Sequence, residues 1–467
     1  MISKQELQYS LEQVQSPSIL VIGDLMLDRY TWGSVNRISP EAPIPVLRVS
    51  REENRLGGAA NAMNNLVTLG AKVFACGMLG NDANAGAVLQ LFEKEGINTA
   101  GVFEQEDFTT ILKHRMIAGH HHLLRMDFDP PAGWKLPCES NITEYLEKTI
   151  PHVDLILISD YGKGVLTPSI LDAIRSLAGQ YKIDTIVDPG IGMDYQVYHG
   201  FTLIKPNRRE IALAAEQPVE TINDALKAAA YIQEKFNFKY VAVSLDRDGL
   251  LLFQNADHYF CFESATQEVF DVVGAGDMVV SMLAFLMSAG TPIEHAASWA
   301  NIAAGMEIMH VGVTSFTKSQ LLQKLVMGYG SDKVVSLDHL LASLEHQTLP
   351  LIFTNGYFDN ISAGHLKFLK QMQKFRGVRV VAINSDHSIE LQKGTPPLLN
   401  EKDRASLLAS IEGIDWVIIF DDTNANHLLE QLRPSIVVKG EPNQQQPLAE
   451  QATIDNIGAT VHYLPEY

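Results

Sequence analysis

The chain has 467 residues, 46% of them hydrophobic, and a formal charge of −19. That length exceeds one ordinary core and points to two or three domains. The acidic balance excludes the basic face needed to wrap nucleic acid or hold an anionic membrane, but not nucleotide binding, which needs only a few local donors.

From the N-terminus, "MISKQELQYSLEQVQ" is polar and helix-forming, with no apolar signal core. "SILVIGDLMLD" reads as a buried strand ending at Gly23-Asp24, and similar runs recur in "VFACGMLG", "DLILISDYGKG", "TIVDPG", "TLIKPN" and "YVAVSLDRDG". Most are followed by a helical pattern, and each ends in Gly, Asp, Asn or Pro. This alternation predicts a mostly parallel α/β sheet with ligands at the carboxyl ends of its strands. Around 316–348 the sequence turns helical and polar, predicting the closing helix of one domain, a linker and the leading helix of the next. A second α/β series follows: "LPLIFTNG", "VRVVAINSD", "DWVIIF", "SIVVKG", "ATVHYL". The expected boundaries are 1–328, a linker and helix over 329–347, and 348–467. Three scattered cysteines, Cys76, Cys138 and Cys261, suit a reducing compartment and neither a disulfide framework nor a zinc site. The longest apolar stretch, near "MVVSMLAFLM", is too short for a bilayer span. A cytoplasmic protein is expected.

Three local motifs stand out. In "LGGAANAMNNL", Gly57-Gly58 before a helix lets a ligand approach the backbone, and Asn61 offers both a donor and an acceptor to sugar hydroxyls. The run His120–His122 falls in a strand or hairpin tip, where neighbouring side chains point to opposite faces and do not share one ion. In "DVVGAGDMVVSMLAFLM", Gly274, Ala275 and Gly276 precede Asp277 at a helix start, placing free N–H groups where a phosphoryl group can sit. Asp277 then stands where a carboxylate takes a proton from an attacking hydroxyl.

The G-G-x-x-N and D-x-x-G-A-G-D signatures, in this order and separation, resemble the ribokinase-like (PfkB) family of sugar kinases. More narrowly, "RISPEAPIPV" and "LISDYGKGVL" resemble the heptose-7-phosphate kinase half of the bifunctional family that makes ADP-heptose for bacterial lipopolysaccharide, over residues 15–325. The resemblance implies a ribokinase-like fold, ATP and Mg2+ as cofactors, a sugar phosphate as substrate and a homodimer. It makes Asp277 the catalytic base and Gly274, Ala275 and Gly276 the anion hole. Asp24, Gly58, Asn61 and Lys163 fall to the sugar, with Lys163, Arg115 or Arg125 facing its phosphate unless they are solvated surface charges. Asn207, Glu210 and Ser244 fall to ATP and magnesium. Three positions depart from the family: Val273 and Met278 replace threonines, and Gly190 stands where heptose kinases carry lysine. A kinase for a different sugar phosphate and a non-catalytic nucleotide-binding scaffold are the alternatives.

From 348 onward, "TNGYFDNISAGH", "AINSD", Asp403-Arg404, "DWVIIF" and "VVKG" resemble the adenylyltransferase half of the same family, a smaller Rossmann-like fold. Thr354, Asn355, Gly356, Phe358, Asp359, Gly364, His365, Arg404 and Lys439 are the nucleotide-binding positions it implies. Ser362 replaces the first of two histidines, the Gly-Asp after Lys439-Gly440 is lost, and the customary S-T-T-x-I-I segment has no counterpart before Tyr467. Two readings follow: a domain that has lost adenylyl transfer, and a weak or altered transferase.

Overall fold

The computed structural model describes all residues except 1, 120, 132–133, 264–273, 310–311, 328–332, 345–348, 412, 442–447 and 466–467. His120, Val273, Asp271, part of the expected linker and positions 442–447 therefore lie outside the described residues. The chain divides into two compact units, Met1–Leu325 and Val326–Tyr467.

The first unit is built on a nine-stranded sheet. Its spatial order is His258–Phe262, Leu250–Asn255, Tyr240–Ser244, Leu203–Ile204, Asp184–Asp188, Leu155–Ser159, Ser18–Gly23, Lys72–Gly80, Asn98–Gln105. The first three run as an antiparallel meander, and every other neighbouring pair is parallel. The central strands are apolar on both faces, as expected of strands covered by helices on each side. One covering layer contains Ala59–Leu69, Ala275–Met287 and Ile293–Glu307, with Trp299 fully buried. The other includes Pro168–Tyr181 and Ile222–Phe236.

Local sequence sets the helix ends. Thr167 caps Pro168–Tyr181 with proline at its first position, and Thr221 forms a reciprocal capping box with Asp224. Ala275–Met287 is apolar all round, and Asp277 through Leu286 are all buried, so this helix runs through the interior rather than along the surface.

A second, four-stranded sheet was not predicted: Pro45–Gly58, Leu25–Ile38, Ile111–Ala118 and His121–Phe128. Leu25–Ile38 follows the core strand Ser18–Gly23 after a single residue, Asp24. Leu25–Ile38 is a strand because the next strand, Pro45–Gly58, pairs on one side and the distant Ile111–Ala118 on the other. His121 and His122 open the edge strand, as the strand reading of that run expects.

The second unit has a six-stranded, wholly parallel sheet: Val334–Val335, Trp416–Phe420, Val378–Asn384, Leu351–Gly356, Ile436–Gly440, Thr460–Leu464. Val334–Val335, inside the stretch expected to be a linker, is its edge strand, paired with Val417 and Ile418. Among the described residues, no helix is long and apolar enough to cross a membrane.

Candidate functional site

Five adjacent strands of the first sheet end in polar residues, and their ends form the site. Ser18–Gly23 gives way to Asp24, Leu155–Ser159 to Asp160 and Tyr161, and Leu203–Ile204 to Lys205. Asp184–Asp188 ends in Asp188 and Tyr240–Ser244 in Ser244. Parallel strands deliver their last residues to one edge, which is why side chains so far apart in sequence meet.

Asp277 lies in the first turn of Ala275–Met287 and is buried. Asn61 Nδ2 donates to its Oδ2 at 2.7 Å and the Tyr161 hydroxyl to its Oδ1 at 2.7 Å. Burial, then the neighbouring Asp188 charge, pushes its pKa up to about 6, against the pull of Asn61, Tyr161 and Lys205. A carboxylate poised near neutrality, with a carbonyl-free edge of helix beside it, suits proton abstraction.

Gly274 opens that helix with φ +92°, and a Cβ there would overlap the buried carboxylate of Glu307. Gly276 packs against the Lys205 ammonium, which would lie 3.1 Å from an added Cβ. Lys205 Nζ pairs with Asp188 Oδ1 at 2.8 Å. Burial alone would lower its pKa, but Asp188 and Glu210, with Asp277, hold it above the ordinary lysine value. Asp188 itself is pushed up to about 6 by burial, which outweighs the Lys205 charge. A permanent cation thus stands beside the free N–H groups of the helix start, where phosphoryl charge would develop.

On the sugar side, Asp24 is fully buried; its Oδ2 accepts the backbone N–H groups of Tyr161 (2.8 Å) and Lys163 (3.1 Å). Its Oδ1 has no protein partner. Burial, then Asp160, raises its pKa to about 7, with the Lys163 and Tyr161 N–H groups opposing. A buried oxygen left unsatisfied is what a ligand hydroxyl would complete. Gly58 sits at φ +55° directly against the Asp24 carbonyl and Met26, where no side chain fits, and Ala59 N–H donates to that same carbonyl at 3.1 Å. Asp24, Gly58, Asn61 and the Gly274–Asp277 turn therefore form one contiguous surface.

Asn207 caps Arg208–Ala214 in a capping box with Glu210: Glu210 N–H donates to Asn207 Oδ1 (2.9 Å), and Asn207 N–H to Glu210 Oε2 (2.8 Å). Asn207 also bridges Ser244 through the backbone, and Ser244 Oγ is buried with no partner. The cations assigned to a phosphate are differently placed. Lys163 pairs with Asp129 at 2.8 Å, Arg125 forks onto Asp127 at 2.9 Å, and buried Arg115 pairs with Asp28 at 2.9 Å. Met278 points into the core, so its departure from threonine concerns packing. Gly190 packs against the backbone of Asp160 and Gly162, which leaves little room for a lysine. Sequence reasoning missed Tyr161, Asp188 and Lys205. Each stands at or just after the end of a recognised strand, which was the available signal.

In the second unit, Thr354, Asn355, Gly356, Phe358, His365 and Lys439 line a cleft of about 390 Å³, with Glu450 on its wall. Lys439 Nζ donates to Asn355 Oδ1 at 2.7 Å and lies 3.5 Å from Glu450 Oε2. Burial lowers its pKa, with Glu450 opposing. Ser362 is the N-cap of Ala363–Gln371: its Oγ accepts from His365 N–H, and its own N–H donates to His365 Nδ1 at 3.1 Å. An acceptor Nδ1 leaves Nε2 carrying the proton. Gly364 lies in the first turn of that helix. Besides Gly364, two assigned positions do not line the cleft. Arg404 is fully buried and spends its donors on Tyr357 O (2.6 Å), Leu399 O (3.0 Å) and Asp386 (2.6 Å). Asp359 accepts the Leu398 N–H at 2.6 Å. Both hold loops in place because a guanidinium or carboxylate near a backbone turn finds those partners first.

Residues 16–320 match the pfkB family of carbohydrate kinases, and residues 353–462 the cytidylyltransferase-like family. The chain is similar to the bifunctional protein HldE of Pelobacter propionicus, 34% identical over 466 residues, covering 98% of this chain and 95% of that protein. The Geobacter metallireducens protein of the same name is 36% identical over 448 residues, 95% and 91% of the two chains. That of Helicobacter pylori is 35% identical over 423 residues, 90% of each. Among solved structures, Arabidopsis thaliana ribokinase complexed with ribose and ATP superposes with a TM-score of 0.55 at 17% identity, covering 67% of this chain and 99% of that one. Escherichia coli phosphofructokinase-2 in complex with substrates and products gives 0.55 at 19% identity, 66% and 98%. At those identities the likeness is one of fold.

Proposed function

The chain belongs to the pfkB family of carbohydrate kinases and, along its length, to the bifunctional HldE family, and on that premise we propose that it phosphorylates a heptose 7-phosphate at the anomeric hydroxyl. It is a sugar kinase. Asp277 takes the proton as the sugar oxygen bonds to the γ-phosphorus of ATP, the bond to the β-phosphate oxygen breaks, and ADP leaves. The N–H groups of the Gly274–Gly276 turn and the Lys205 ammonium stabilise the charge that gathers on the transferring group. The observation that carries this reading is the placement of Asp277 at the start of that helix, gripped by Asn61 and by Tyr161, whose backbone N–H is held by Asp24.

Magnesium fits the ATP side. Asn207 and Glu210 supply amide and carboxylate oxygen, the donors a hard cation takes alongside water and phosphate oxygens. No group of three His, Cys, Asp or Glu side chains that could hold an ion gathers among the described residues. When bound, the ion would neutralise charge on the ATP phosphates.

For the second unit we propose nucleotide binding in the Asn355–Lys439–Glu450 cleft and slowed adenylyl transfer to the heptose 1-phosphate, giving ADP-heptose and pyrophosphate. Ser362, committed to capping, offers no second imidazole to the leaving pyrophosphate. A cytoplasmic homodimer completes the reading. The exposed apolar side chains Ile38, Ile44 and Val49 near the ends of the two longest strands support a second copy.

Phosphorus NMR of the full chain with ATP, Mg2+ and heptose 7-phosphate tests the kinase, and adding inorganic pyrophosphatase tests the second step. The expected result is a new anomeric phosphate resonance and ADP. Transfer only to a different sugar phosphate, or ATP binding without transfer, would overturn the reading.

A further inference from the structure

Lys113 lies on Ile111–Ala118, one of the two inner strands of the four-stranded sheet, opposite Asp28 on one side and Asp127 on the other. It is partly buried, and its Nζ sits 5.0 Å from the centre of the Tyr161 ring. The hydroxyl of that same ring donates to Asp277. Lys113 therefore overhangs the catalytic edge, one aromatic side chain away from the base.

Its neighbours make it unusual. Arg115 pairs with Asp28, Arg125 with Asp127, Lys163 with Asp129 and Lys205 with Asp188. Each of these cations has a carboxylate in direct contact. Among the described residues the Lys113 ammonium makes no hydrogen bond or ion pair, and it lies over the face of the Tyr161 ring. A partly buried ammonium without a hydrogen-bond acceptor is costly to keep unless a ligand supplies one. The charges that face it are Asp28, Asp127 and Asp277, which favour its ammonium form, and Arg115, which does not.

We infer that Lys113 is the specificity-determining residue that receives the phosphate borne by the sugar substrate. This rests on the proposed sugar-phosphate kinase reading and deepens it. A sugar held by Asp24 at one end and offering its anomeric hydroxyl to Asp277 lies beneath the four-stranded sheet. Its phosphorylated end then needs a cation from that sheet with free donors. Burial lowers the pKa of Lys113, and a phosphate dianion would reverse that by supplying the missing charge and acceptors.

The test is steady-state kinase kinetics on the full chain with ATP and Mg2+, using heptose 7-phosphate and unphosphorylated heptose as alternative acceptors. Lys113→Met should raise KM for heptose 7-phosphate by about 10- to 100-fold, the range expected for a lost hydrogen bond to a charged group. The preference for heptose 7-phosphate over heptose, as a ratio of kcat/KM, should shrink by a similar factor, and Lys113→Arg should recover part of both. Lys113→Gln, which keeps a polar end in the partly buried site, provides a second variant should the methionine form fail to fold. A KM for heptose 7-phosphate within twofold of the parent in a folded variant would overturn the assignment, as would a rise confined to the KM for ATP. If the parent neither binds heptose 7-phosphate by calorimetry nor turns it over, the function reading fails and Lys113's role fails with it. A parent active on heptose 7-phosphate alongside an unaffected Lys113→Met sinks the Lys113 assignment alone.

Discussion

Replacing Asp277 with asparagine isolates the proton-accepting role from the shape of the site. The amide can turn its oxygen toward Asn61 Nδ2 and its NH2 toward Tyr161, whose hydroxyl then accepts instead of donating; both contacts start at 2.7 Å. The anion turn and Lys205 are untouched. A positioned general base contributes about 10²–10⁴ in rate. With the Asp277 pKa pushed up to about 6, close to working pH, the upper part of that range applies. We expect kcat to fall about 10³- to 10⁴-fold, equivalent to roughly 4–5 kcal/mol of barrier, with KM for ATP changed less than about threefold. ADP release measured at pH 7.5 with saturating heptose 7-phosphate reads the loss, and phosphorus NMR confirms the product. In the parent, the protonated acid cannot accept a proton, so kcat/KM should fall on the acid side with a midpoint near 6. If ionised Asp24 is also required, the limb begins near pH 7 and doubles in slope below 6. A variant within tenfold of parental kcat would refute the assignment of Asp277 as base.

Gly274→Ala forces a side chain into φ +92° and against Glu307, so we expect at least a hundredfold loss of kinase turnover and a lower melting temperature; near-parental turnover would contradict the role of this turn. Asp24, Asp188 and Asp277 are all held above the usual carboxylate range by burial. Below about pH 4 they are protonated whether the chain is folded or not, and as pH rises through 6–7 the folded state must carry charges that the unfolded chain accommodates more easily. Calorimetry should therefore find the first unit melting higher at pH 5 than at pH 8, and the opposite order would refute this account. Ser362→His should quicken pyrophosphate release from ATP and heptose 1-phosphate by about tenfold or more, although the helix loses a cap worth about 1 kcal/mol; unchanged release would place the deficit elsewhere.

The central sheet was legible because its strands are short apolar runs ending in polar punctuation, and the two glycine motifs announced the helix starts at Ala59 and Ala275. The four-stranded sheet was not legible. Leu25–Ile38 mixes Asp28, Arg29, Asn36 and Arg37 into an extended segment, and only its partners at 45–58 and 111–118 make it a strand. The base and the anion turn were readable from adjacent residues. Tyr161, Asp188 and Lys205 were not, because their roles arise from the side-by-side placement of strands separated by many residues. Arg404 shows the converse: a charged residue in a familiar place, whose buried position and three partners come only from packing.

Asp24 is the one residue between the core strand Ser18–Gly23 and Leu25–Ile38. It also presents a buried, unsatisfied oxygen to the site. A strand junction and a candidate ligand contact thus coincide. From Leu25 to the irregularity at Trp32 the strand extends about 26 Å, so a backbone rotation of only 10° or so at Asp24 sweeps its far end by about 5 Å. Lys113, on the strand paired beside it, rides on the same arm. Because the Asp24 N–H is tied to Ser159 O and its carbonyl to Ala59 N–H, the anchor of that arm and the ligand contact share one clamped residue.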